Sequence, residues 1–254
     1  MIRLLTLFSA LLFLAGCAIS PENSNTWEDH ERVRVHTQLA YQYLERGMLG
    51  PAKDEAEFAL DLGPTDSNAN HVMALIESRL GNIGKAGSLF VKSLEIDPQN
   101  WMAQNSYGSF LCGEGMWAEG IFQYNSAMEN PFNAEADRSV LGLGICHAGL
   151  GDFVNAELYL KRALQENPNL KTGLYHMAML SYTQGRYMSA RAFIERYLED
   201  GSTSPEILLL AVNNEIRLDS YQLARSYAGL LESIFPLSPE TQVAAEIMTK
   251  AKDG

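Results

Sequence analysis

The chain repeats itself every 34 residues. Prolines at 64, 98, 131, 168 and 236 each close an apolar segment with a similar ending, as in LDLGPTD, LEIDPQN, AMENPFN, LQENPNL and SIFPLSP. Aligned on that period, the sequence falls into six blocks, 33–66, 67–100, 101–134, 137–170, 171–204 and 205–238, with Glu135-Ala136 inserted between the third and fourth. Gly47, Gly81, Gly115, Gly151 and Gly185 share one place in five of the six. Five residues on stands a small residue in every block: Ala52, Ala86, Gly120, Ala156, Ala190 and Ala224. Upstream, a pair that is mostly large then small recurs, from Leu39-Ala40 and Met73-Ala74 to Tyr107-Gly108 and Leu143-Gly144. A generic bundle has no reason to keep such a constant spacing.

These positions make physical sense as two antiparallel helices per block. Small residues allow the paired helices to approach to about 8–10 Å. The shared glycine lies just past the first helix, where positive φ is needed. Asp66, Asn100 and Asp152 are suited to cap helix starts, and proline ends each unit. Period and pattern together are those of the tetratricopeptide repeat. The expected fold is therefore all-α, a right-handed superhelix of about six repeats over 33–254. The amphipathic stretch at about 239–252, with Val243, Ala244, Ile247 and Met248 on its apolar side, should cap the last repeat. The fifth block is the most divergent, with Ser202 where proline is expected.

The N-terminus carries a different signal. Arg3 precedes an apolar run from Leu4 to Ala15, which at helical rise spans roughly 18 Å, short of a bilayer core of about 30 Å. This is the pattern of a cleaved leader, residues 1–16. It ends in Leu14-Ala15-Gly16-Cys17, which resembles the bacterial lipobox. The resemblance implies lipid on Cys17, and Ala18, rather than Asp, implies sorting to the outer membrane. Residues 17–32 are polar and aperiodic and are expected to form a flexible tether.

Charge and cysteine usage narrow the partners. The chain carries 31 acidic against 19 basic residues, a net charge of −12, so it is not expected to follow a nucleic-acid backbone. With Cys17 acylated, Cys112 and Cys146 remain, late in the first helices of adjacent repeats. In an oxidising compartment they invite a disulfide, for which a loop of this length gives a ceiling of about 4 kcal/mol. Two small buried thiols are the other reading. The five histidines show no metal-ligand spacing, and phosphate-binding and nucleophile motifs are absent. No catalytic residue, cofactor site or metal site is expected. The array should work by binding.

Repeat arrays bind along the concave face lined by the first helix of each unit. The second, fifth, ninth and twelfth positions of a block face it in the usual geometry. The candidates are Tyr41, Asn68, Leu75 and Asn105 in the first half, and Leu141, Tyr175, Met179 and Tyr182 in the second. The second set is the more apolar, which marks either an interaction surface or a face that the C-terminal helix fills.

The run NSYGSFLCGEGMWAEGIFQYNSAMENP (105–131), followed by GLGICHAGLGDFVNAELYLKRALQENP (142–168), resembles the PilF/PilW family of type IV pilus biogenesis lipoproteins. The resemblance covers the mature chain and departs at Gly120, usually alanine, and at Ser202. It implies a pilotin. Such a protein binds subunits of the outer-membrane secretin, travels with them along the lipoprotein-sorting route, and supports assembly of the multimeric pore from the periplasmic face of the outer membrane. The rival from another class is a repeat scaffold that recruits periplasmic peptidoglycan hydrolases or proteases.

Overall fold

A computed structural model describes residues 25–250, so the leader, Cys17 and the first part of the expected tether lie outside the described residues. Thirteen helices and no strand occur among the described residues. They form six antiparallel pairs: α1 (Asn25–Glu45) with α2 (Leu49–Leu62), α3 (Ser67–Arg79) with α4 (Ile83–Ile96), and α5 (Trp101–Gly113) with α6 (Trp117–Glu129). The same pairing joins α7 (Ala136–Leu150) to α8 (Phe153–Glu166), α9 (Lys171–Thr183) to α10 (Tyr187–Leu198), and α11 (Pro205–Arg217) to α12 (Tyr221–Ile234). The first helix of each pair, helix A, also packs on helix A of the next, and the stack winds into a superhelix. The last helix, α13 (Pro239–Lys250), rests on both α11 and α12.

The turns between paired helices follow from backbone sterics. Gly47, Gly81, Gly115, Gly151 and Gly185 adopt φ between 71° and 83°, where a side chain would strain the chain. In the sixth turn Asp219 takes this conformation, at φ 55°; the aspartate tolerates the left-handed region better than most residues. The helix starts are capped as their residue types suggest. Asp66, Asn100 and Asp152 accept the backbone N–H groups of Ala69, Ala103 and Asn155 at 2.8, 3.0 and 3.2 Å. Where the fifth block lacks its proline, the break is made differently. Gly201 turns the chain at φ 79°, and Ser204 caps α11 with Pro205 in its first turn.

Inside the four middle pairs the packing is a volume trade. In these blocks the eighth position is small and faces a large twenty-fourth position on its own helix B. A Cβ added to Gly108 would come within 2.9 Å of the Tyr124 ring, and one added to Gly144 within 2.8 Å of Leu160. Tyr124 is buried, and the space over its ring is cleared on the other side by Gly142 of the next repeat. The same register pairs Ala74 with Phe90 and Ala178 with Ile194, all four fully buried. Gly120 also has a local cause: a Cβ there would fall on the Cys112 sulfur and lie 3.0 Å from the Gly108 carbonyl oxygen. Where the other blocks accept alanine, this one has no room.

The structure corrects one boundary. Residues 25–32, expected within the tether, are the first two turns of α1. Ion pairs one turn apart, Asp29 with Arg32 at 3.3 Å and Glu31 with Arg34 at 2.5 Å, support a helix whose side chains need not be apolar. Polar composition was the misleading signal, because this segment projects beyond α2 and has little to bury.

Ala156 is fully buried where α8 meets α7. Replacing it with leucine should overpack that contact and cost about 1–3 kcal/mol. Thermal unfolding should show a midpoint lowered by about 2–12 °C.

Candidate binding groove

The A helices line the concave face, and in its first half they enclose a cavity of about 350 Å³ between α1, α3, α5 and α7. Tyr41, Asn68 and Leu75 all line it, as do Arg34, Thr37, Leu44, His71, Met102 and Arg138, which hold equivalent block positions. The apolar part of the lining is Leu44, Val72, Leu75 and Met102. The superhelix curls enough that the wall is closed by the fourth repeat: Arg138 of α7 faces Tyr41 of α1 across the opening. Burial raises the Tyr41 pKa, with Glu45 acting in the same direction and Arg138 against it.

Position five behaves differently from expectation. Asn105 is only 1% exposed, and its carbonyl accepts the Ser139 hydroxyl at 2.6 Å. It ties α5 to α7 and does not present itself to a partner; its neighbour Ser106 lines the cavity instead. Thr37 and His71, also fifth in their blocks, are 7% and 5% exposed. Fifth-position side chains sit in the seam between neighbouring A helices, so they form the floor and leave the rim to positions two and nine.

In the second half, Leu141, Tyr175 and Tyr182 are half-buried. Leu141 packs onto the core beneath α7 to α9, and the two tyrosines onto the core built by α9 to α13. Tyr182 stacks edge-on with Tyr187 at 5.5 Å. Met179 is the open member of the set. The residues that the position rule misses at the cavity are Gln38, Glu45, Asp66, Val72, Arg79, Ser106 and Glu135. Glu135 belongs to the two-residue insertion, which carries it to the cavity wall together with Arg138, its ion-pair partner at 3.1 Å.

Below the groove, the Cys112 and Cys146 sulfurs lie at bonding distance, with Cα atoms 5.6 Å apart. The pair lies between α5 and α7 next to the Tyr124 contact.

Comparison with known proteins places the chain. Tetratricopeptide-repeat models match residues 67–100 and 147–212, so the class is a tetratricopeptide-repeat array. The type IV pilus assembly protein PilF of Pseudomonas aeruginosa is 26% identical over 246 residues, covering 94% of this chain and 98% of that protein. The crystal structure of PilW, described as a widely conserved type IV pilus biogenesis factor, superposes with a TM-score of 0.78 at 30% identity, covering 84% of this chain and 98% of that one. The solved structure of Pseudomonas aeruginosa PilF gives 0.71 at 25% identity, covering 85% and 97%. The chain belongs to the PilF/PilW family of type IV pilus biogenesis tetratricopeptide-repeat proteins.

His71, at the cavity floor, contacts the Ser106 hydroxyl through Nε2 at 2.9 Å. Burial, reinforced by Arg138, lowers its pKa from 6.5 to about 4, and burial lowers that of His176 to about 4 as well. Between those values the unfolded chain binds protons that the folded one does not. Stability is therefore full above pH 6.5 and is lost as pH falls toward 4. For His71 the loss is on the order of 3 kcal/mol. Urea midpoints should fall steadily from about pH 7 to about pH 4.5, and His71→Gln should flatten that slope, leaving the part due to His176.

Proposed function

We propose that this protein is an outer-membrane lipoprotein that binds secretin subunits of the type IV pilus and promotes their localisation and multimerisation. The observation that carries the reading is the cavity on the concave face, bordered by Tyr41, Asn68 and Leu75, in a chain that belongs to a pilus biogenesis family. The lipid on Cys17, directed outward by Ala18, supplies the destination, and the repeats supply the grip. Sorting by the lipoprotein route would carry bound secretin to the outer membrane from its periplasmic side. The array acts by holding a polypeptide rather than by turning one over.

Deleting the gene should abolish heat-resistant secretin oligomers on gels of outer-membrane fractions. The variant Cys17→Ala should give a soluble periplasmic protein and secretin subunits displaced from the outer membrane. Normal oligomers in the deletion strain would refute the reading and favour a scaffold for periplasmic hydrolases or proteases.

The same compartment favours a bond between Cys112 and Cys146, closing the pair of A helices beneath the groove. Mass analysis with and without reductant should differ by two hydrogens. Gly120→Ala should destabilise the protein by about 1–3 kcal/mol. That penalty should shrink by more than half when Cys112 and Cys146 are both alanine, because the sulfur that the new methyl meets is gone. An equal penalty in both backgrounds would contradict this account of Gly120.

A further inference from the structure

The cavity between α1, α3, α5 and α7 has two chemically different ends. The A helices lie side by side in one direction, so a residue's place along its helix gives its depth along the cavity. Arg34 and Thr37 of α1, Asn68 of α3 and Arg138 of α7 mark the N-terminal end. Tyr41, Leu44 and Leu75 lie about two turns further, roughly 10 Å along the helix axes. Arg79 and Glu45, of opposite charge, close that far end.

Hydrogen-bond donors are left over at the N-terminal end. Thr37 is 7% exposed, lines the cavity, and its hydroxyl has no partner among the described residues, a costly condition for a buried polar group. Asn68 spends its carbonyl on the Asn100 amide at 2.9 Å, which leaves its own NH₂ available to donate. Among the described residues, Arg34 and Arg138 form ion pairs only with exposed carboxylates one turn back, Glu31 and Glu135, and such pairs are weak and readily exchanged. Two acids belong to this end: Asp66 is committed to the α3 backbone at Ala69, and Glu135 is the exposed partner of Arg138. The N-termini of α3, α5 and α7 add the positive ends of their dipoles. The other end of the cavity offers apolar surface.

We propose that this cavity recognises a carboxylate and an apolar side chain together, presented by an extended segment of the partner polypeptide. The acidic side chain would lie two residues before the apolar one. Alternate residues of an extended chain point the same way about 7 Å apart, and the reach of the two side chains covers the remaining distance. Arg34, Arg138 and the Thr37 hydroxyl take the carboxylate, and Leu44 and Leu75 take the apolar group. The inference rests on the reading that the groove receives a partner chain, and it names what that chain must carry.

The test uses the purified full-length protein and three blocked or open peptides. The first is acetyl-Gly-Asp-Ser-Phe-Ser-Gly-amide, the second has Asn for Asp, and the third is the Asn peptide with a free C-terminal carboxylate. Titrations followed by NMR should give the Asp peptide a Kd at least fivefold below that of the Asn peptide. The double variant Arg34→Gln, Arg138→Gln should bring that ratio to about one, and Thr37→Val should reduce it. Arg196→Gln, on α10 away from the cavity, should leave it unchanged, with melting curves confirming that each variant is folded. Equal binding of the Asp and Asn peptides, no binding, binding of the free-terminus peptide alone, or a preference that survives the double variant would overturn the proposal. Secretin-subunit binding measured in parallel separates the two readings. Retained secretin binding without peptide discrimination overturns the carboxylate site alone. Discrimination without secretin binding supports the site and removes the pilotin reading.

Discussion

The close approach of each helix pair is the constraint on which the molecule depends. Where Gly108 leaves room for Tyr124 and Gly144 for Leu160, two helices settle at a fixed separation and angle. Repetition then multiplies that local geometry into a superhelix with a defined curl. Hydrophobic burial alone would hold helices together in many arrangements; the matched volumes select one. The groove is a by-product of this selection, because the curvature that forms it accumulates from one pair to the next.

Much of this was legible in the sequence because the signal recurs. A single glycine or alanine says little, but the same type at the same offset in six blocks reports a steric requirement. Turn glycines, cap residues and helix pairing were readable on that basis. Tyr41, Asn68 and Leu75 were also within reach, since their facing follows from block position. What escaped depends on interactions between blocks. Asn105 turns into the seam because Ser139, 34 residues on, supplies a hydroxyl at the right depth. Gly120 looked like a departure from the repeat until the Cys112 sulfur was seen beside it. The start of α1 was hidden by composition, since its early turns are held by side-chain charge pairs instead of by a core.

Buried polar groups show a second principle that no local pattern reveals. Glu77 is fully buried, yet it accepts hydrogen bonds from Asn82 at 2.6 Å and Lys85 at 2.7 Å. Glu215, at the same block position in the last repeat, is held by Arg191. Each clasps the end of helix A to the start of a helix B, and each has its charge answered, as burial requires. Polar groups of this kind fix the pairing while contributing little net stability. Thr37 stands apart from them as a buried hydroxyl with no such answer.

The position of Arg138 has a mechanical implication. The lip of the cavity is built from units three steps apart along the array, so its width is the sum of three successive joints and not the property of any one. A rotation of a few degrees at each joint, in the same sense, would widen or narrow the mouth while leaving every hairpin intact. The α5–α7 junction, where the two cysteines meet, is one of those joints. A bond between them would clamp that joint, as a spring is held at one coil, and leave the remaining compliance to the joints nearest the first repeat.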